Sequence, residues 1–108
     1  MRKFLTVLGL ILLSPSPGEA REVTATVYHE WYAGRPVYCD GSAYQHWGIS
    51  AAHPWLPCGT RVRVSHQGRV LTVPVTDRCE CNSLDLSAGA AWRLGVPLDG
   101  IARVRISY

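Results

Sequence analysis

The stretch "VPVTDRCECNSLDLSAGAAWRLGV", residues 73–96, changes character along its length. Its start continues a β-branched, apolar run from Val70 to Val75, which reads as a strand. Pro74 inside that run predicts an edge or a bend, because proline cannot donate to a ladder. A polar turn follows, carrying Asp77 and two cysteines one residue apart, Cys79 and Cys81. The end of the stretch reads as a helix. Ser87 is placed to cap it, Ala88 to Leu94 are mostly helix formers, and Gly95 can close it in the left-handed conformation. Trp92 and Leu94 fall on different faces, so one of them is expected in the core. Asp85, just ahead of the helix, reads as a cap or turn acid.

Working outward, the rest of the chain is also strand-like. Val23, Ala25 and Val27 alternate with polar residues, and Val62 and Val64 alternate with Arg61 and Arg63. Ile101, Val104 and Ile106 make a last strand, and His66-Gln67-Gly68 reads as a turn between two strands. Short strands, one short helix and no internal repeat predict a small closed barrel of mainly β class. The stretch "GRPVYCDGSAYQHWGISAAHPWLPC", residues 34–58, has little periodicity and is rich in Gly, Pro and aromatic residues. Long loops on a rigid scaffold are where binding and chemistry concentrate.

The N-terminus sets the compartment. Arg2 and Lys3 precede an apolar run from Phe4 to Leu13, and Gly18-Glu19-Ala20 offers a small-residue cleavage site. Residues 1–20 are read as a cleaved secretory signal, leaving one domain over 21–108, in the periplasm or secreted. The apolar run is too short for a membrane span, and no membrane association is expected after cleavage. In an oxidising compartment Cys39, Cys58, Cys79 and Cys81 imply two disulfides rather than a metal site. A bridge between Cys79 and Cys81 strains the backbone, so each is expected to pair with Cys39 or Cys58. Past residue 20 the chain holds nine Arg and seven acids. Arg61, Arg63, Arg103 and Arg105 alternate with apolar residues, which reads as the solvated face of strands, and no nucleic-acid partner is expected.

"SAAHPWLPCGTRVRV", residues 50–64, followed by the opening stretch, resembles the double-psi β-barrel domain of the RlpA-like lytic transglycosylases, which share their fold with expansins. The shared pattern is A-A-H, then L-P-x-G-T-x-V-x-V, V-x-D-R, D-L-S, and a short helix ending L-G. "ATVYHEWYAGR", residues 25–35, is similar to the family's opening strand and its Gly-Arg. The resemblance implies a six-stranded double-psi β-barrel with one short helix. It implies Asp77 and His53 as catalytic positions, and Tyr44 as the aromatic that follows Gly41. The family's Glu falls on Ser42 and a frequent Asp on Gln45, with Asp40 and Glu30 nearby.

The implied substrate is the glycan strand of peptidoglycan, handled by a monomer without cofactor or metal. Cleavage between N-acetylmuramic acid and N-acetylglucosamine proceeds without water, the sugar's C6 hydroxyl forming a 1,6-anhydro end. One carboxyl can protonate the leaving oxygen and then accept the hydroxyl proton, which assigns that work to Asp77. His53 is expected to hydrogen-bond the acid or the substrate. Arg78 is placed to bind an N-acetyl or carboxyl oxygen, and Trp31, Trp47 and Trp55 to stack on sugar rings. At least one of those three rings is expected in the core of so small a domain. Two non-catalytic readings compete: an expansin-like polysaccharide-binding or wall-loosening protein, and a secreted binding or inhibitor module that keeps only the fold.

Overall fold

The computed structural model describes residues 19–108. The leader expected at 1–20 thus falls, apart from its last two residues, outside the described residues. Six strands close into a barrel: β1 (Arg21–Val27), β2 (Ala51–Ala52), β3 (Arg61–His66), β4 (Arg69–Asp77), β5 (Leu84–Leu86) and β6 (Ala102–Ser107), in the order β1-β5-β2-β4-β3-β6. β1 runs parallel to β5 and β2 parallel to β4, while the other neighbours are antiparallel. Parallel neighbours cannot be joined by hairpins, so long connections cross outside the wall. The expected mainly β, six-stranded double-psi barrel with one short helix is what forms.

Alternation builds the interior. Val62, Val64, Val73, Val75, Leu84, Leu86, Val104 and Ile106 point inward, joined by Ala90, Ala91 and Leu94 from the helix α1 (Ala88–Leu94). Burying each such Val or Leu contributes about 1.5–3 kcal/mol. The β3–β4 hairpin turns at Gln67 (φ 48°) and Gly68 (φ 84°), both left-handed, as the twist of a two-residue hairpin requires. Ser87 caps α1, its Oγ accepting from the Ala90 N–H at 3.2 Å and donating to the Gly48 carbonyl at 2.8 Å. A Cβ at Gly89 would overlap the carbonyls of Trp47 and Gly48, so α1 lies directly on that loop. Leu94 is the core residue of the helix and Trp92 is exposed.

Pro74 pairs with Arg61 of β3 but has no partner in β2, which joins β4 only from Val75 on, so the proline sits at a local edge, and the register shift comes beyond it, at Thr76. Two expectations are corrected. Ile101 precedes β6 and is exposed, because the ladder to β1 reaches only to Ala102. The disulfides join Cys39 to Cys58 and Cys79 to Cys81, rather than linking one pair to the other. The reason is topological. The Cys39 N–H donates to the Thr76 carbonyl, and the N–H of Gly59, next to Cys58, donates to the Val75 carbonyl. Both loops therefore meet at the end of β4, while Cys79 and Cys81 lie in the turn beyond it.

Candidate active site

Val73 and Val75 point inward, so simple alternation would send Asp77 inward as well. It does not go there. Ala51 of β2 pairs with Val75, but Ala52 pairs with Asp77, which leaves Thr76 as an extra residue in β4. Such a bulge re-aims the side chain that follows it. Asp77 is turned onto the outer face, level with Ala52. On the other side of β2, Ala52 pairs with Asp85, and Asp85 pairs with Thr26 of β1. Leu84 and Leu86 point to the core, so Asp85 points out. Thr26, Asp85, Ala52 and Asp77 form one row across four strands. Two strand spacings place the acids' Cα atoms ~10 Å apart, with Ala52 between them.

The chain between β1 and β2 covers part of this row. Tyr28, Val37, Tyr44 and Ala52 form a second small core outside the barrel, with Cys79 packed on it. Tyr28 stacks on Tyr44 at 4.3 Å and its Oη donates to Asp77 Oδ2 at 2.7 Å. The backbone N–H groups of Tyr38 and Arg78 donate to Asp77 Oδ1 at 2.8 and 2.9 Å. Three donors thus fix the Asp77 carboxylate as an acceptor. Burial, and then Asp77 itself, push the Tyr28 phenol well above its ordinary range. Burial pushes the Tyr44 phenol up to about 12.

Asp85 has a different setting. Its Oδ1 accepts from Thr26 Oγ1 at 2.9 Å. Its pKa is raised, chiefly by burial and further by the charge of Asp77, with the Thr26 bond opposing. Asp77 and Asp85 line one open cleft of about 600 Å³ with Thr26, Tyr28, Tyr32 and Arg78; Glu80 and the Cys79–Cys81 bridge stand at its side.

The other residues singled out by sequence are dispersed. His53 is buried, and its ring makes no bond to the acid. Nδ1 instead accepts from the N–H groups of Trp55 and Leu56 at 3.1 and 3.0 Å. Burial, and then Arg78, lower its pKa, which suits a neutral ring accepting two bonds. Its backbone is tied to the site: its N–H donates to the Asp77 carbonyl at 3.1 Å, and its carbonyl accepts from Arg78 Nη1 at 3.3 Å. Tyr44 lies beneath Tyr28, its hydroxyl 3.0 Å from His46 Nδ1. Trp31, Trp47 and Trp55 are 58%, 63% and 64% exposed, so none is core, contrary to expectation. None of them lines the cleft; Tyr32 does. Arg35 covers Trp31 at 3.4 Å, and Trp55 meets the edge of His53 at 4.9 Å. Ser42 bonds Asp40 Oδ1 through its N–H and Oγ at 2.9 and 2.7 Å, closing a surface turn. Neither Asp40 nor Glu30 lines the cleft; the acids that join Asp77 there are Asp85 and Glu80, and only Asp85 shares its strand row. The available signal for Asp85 was its position between two leucines, a strand-like alternation.

Residues 24–106 match the family model described as lytic transglycolase. The chain is 42% identical over 86 residues to an uncharacterized Synechocystis protein, covering 78% of this chain and 93% of that one. It is 42% identical over 80 residues to a probable endolytic peptidoglycan transglycosylase RlpA of Nostoc, covering 69% of this chain and 21% of the relative. The endolytic peptidoglycan transglycosylase RlpA of Pseudomonas aeruginosa is 33% identical over 109 residues, covering 94% of this chain and 31% of the relative. The chain thus spans about a fifth to a third of these two RlpA proteins. Among solved structures, a Streptomyces papain inhibitor superposes with a TM-score of 0.68 at 26% identity, over 87% of this chain and 97% of that one. By its barrel, its ordered motifs and these matches, the chain belongs to the RlpA-like double-psi β-barrel family of lytic transglycosylases.

Proposed function

We infer that this chain is a peptidoglycan lytic transglycosylase of the periplasm or the secreted space. It acts as a monomer without cofactor, cutting between N-acetylmuramic acid and N-acetylglucosamine to leave 1,6-anhydro ends. The observation that carries the reading is the row in which Asp77 and Asp85 stand on either side of the buried Ala52, with Asp77, Asp85 and Tyr28 lining one open cleft. Two carboxyls whose surroundings differ are suited to divide acid and base roles. Asp85, raised by burial, holds the proton and gives it to the glycosidic oxygen as that bond breaks. Asp77, bonded by three donors, takes the proton of the C6 hydroxyl as its oxygen joins the anomeric carbon. One proton leaves Asp85 and one arrives at Asp77, and no water is consumed. An inverting hydrolase needs its base on the ring face opposite the acid; here both carboxyls rise from one stretch of wall. Arg78 and Tyr32 border the cleft and receive the substrate's amide or carboxyl oxygens and a ring face. Trp31, Trp47 and Trp55 offer exposed rings farther along a glycan. His53 and Tyr44 serve as positioning residues, through the turn at 53–56 and through Tyr28.

The test is digestion of peptidoglycan and of peptide-free glycan strands by the oxidised protein, with mass spectrometry of the products. Anhydro-muramic ends support the reading; reducing ends would make the protein a hydrolase. A second, non-catalytic reading is favoured by the Ser42–Asp40 turn at the family's Glu position. The near-complete match to a papain inhibitor adds a protein-binding version of it. Glycan pull-down without turnover would establish the expansin-like form, and inhibition of papain the other.

A further inference from the structure

The barrel order puts β3 and β6 together on the side opposite β5 and β2, the middle strands of the acid row. Their outward residues are Arg61, Arg63 and Ser65 on β3, and Arg103, Arg105 and Ser107 on β6. Arg105 lies opposite Ser65, and Arg63 opposite Ser107. Along the strand direction the arginines therefore succeed one another as Arg103, Arg105, Arg63, Arg61. Two residues of strand advance by about 6.6 Å, so the four form a ladder ~20 Å long. Thr24 flanks Arg103 and Thr72 flanks Arg63. The sole acid on this face is Glu22, opposite Arg105 and 3.2 Å from Arg103 in the single ion pair among the described residues. Arg61, Arg63 and Arg105 are exposed. At the Arg103 end the ladder opens into a hollow of about 670 Å³, also bounded by Ser65, Gln67 and Gly68.

We propose that this ladder binds a linear polyol- or sugar-phosphate polymer, successive phosphates meeting successive arginines. Evenly spaced forks with hydroxyls beside them match a chain of phosphodiesters, since guanidinium groups bind phosphate oxygens in pairs. No aromatic ring stands on the row, so it lacks the stacking platform that holds single-stranded nucleic acid. Two separate apolar side chains border it, Ile101 in the hollow and Val70 opposite Ser65, which is short of the continuous apolar face that enters a bilayer. Bound here, the polymer leaves the acid row free on the far side of the barrel. The assignment rests on the β3–β6 face alone and not on the reaction inferred above.

The probe is synthetic poly(glycerol phosphate), titrated against the oxidised protein at several salt concentrations. The parent is expected to bind at low salt, with affinity falling linearly on a log–log plot. Arg63→Gln with Arg105→Gln should weaken binding at least tenfold. The same pair should reduce the slope by about 1.4, since each phosphate left without its guanidinium lowers it by about 0.7. Glu22→Gln, which frees Arg103, should strengthen binding. The double variant should keep the parent's melting temperature and its glycan products, so a failure here is distinct from a failure of the enzyme reading. Absence of binding at low salt, or equal binding by the double variant, overturns the proposal. Equally tight binding of single-stranded DNA or of anionic vesicles overturns it as well, by assigning the ladder to that partner instead.

Discussion

The barrel presents two unlike outer walls. The wall of β3 and β6 is bare: its outward residues are arginines and hydroxyls, and strict alternation places every one of them. The wall of β1, β5, β2 and the end of β4 is partly covered by the chain between β1 and β2, and its outward row holds two acids around an alanine. The difference lies in the cover and the bulge, since the strands themselves are alike. A bare wall remains a solvated surface on which charges are screened. Under a cover the same outward positions become a partly desolvated site where hydrogen bonds fix one carboxyl and burial raises another. The two bridges divide along the same lines. Cys39–Cys58 pins the cover to the loop between β2 and β3, beside the end of β4, whereas Cys79–Cys81 closes only the turn beside the cleft.

The largest expected effect tests whether the covered wall is chemical. Asp85→Asn and Asp77→Asn should each fold, retain glycan binding, and lose about 10²–10⁴ in the rate of anhydro-end formation. If either variant turns over glycan as fast as the parent, that acid has no part in the reaction. Next comes the pinning of the cover. Removing Cys39–Cys58 by paired Ser substitutions opens a loop of 19 residues and should cost about 3 kcal/mol, lowering the melting temperature by roughly 10–20 °C. Removing Cys79–Cys81 should cost about half as much in stability, because the loop it closes is short. Equal losses from both would show that the long bridge does not anchor the cover as described.

Tyr28→Phe is a subtler probe. It keeps the stack on Tyr44 but deletes the bond to Asp77. A hydrogen bond to a charged group contributes about 1.5–3 kcal/mol, so turnover should fall roughly 10–100-fold with KM unchanged. A fall in melting temperature with unchanged kcat would mark Tyr28 as packing alone. The smallest effect is on pH dependence. The Asp85 pKa is raised in the folded state, so between its unfolded and folded values the native protein binds more protons than the unfolded chain. Stability from this group is full below the unfolded value near 3.9 and declines as pH rises through the folded value. Asp85→Asn should flatten that decline in a series of melts from pH 4 upward, and an unchanged slope would place the cause elsewhere.

Much of the barrel was legible from local chemistry. Val62 and Val64 against Arg61 and Arg63, the turn at His66-Gln67-Gly68, and the Ser87 and Gly95 caps were all readable, because each depends on neighbours a few residues away. The sequence by itself determined the alternating core, the helix and the place of Asp77 after a strand. It did not determine which way Asp77 points. That depends on Thr76 bulging so that β4 can pair with Ala51 and then Ala52, a register set by a strand more than twenty residues away. Asp85 read as a cap because its partners, Thr26, Ala52 and Asp77, are brought alongside only when the barrel closes. The disulfides were misjudged for the same reason: backbone strain between near neighbours is a local argument, while the meeting of the Cys39 and Cys58 loops at the end of β4 is a product of the crossing connections. Only the tertiary structure decided these points, because a parallel pairing joins residues through contacts that no local spacing encodes.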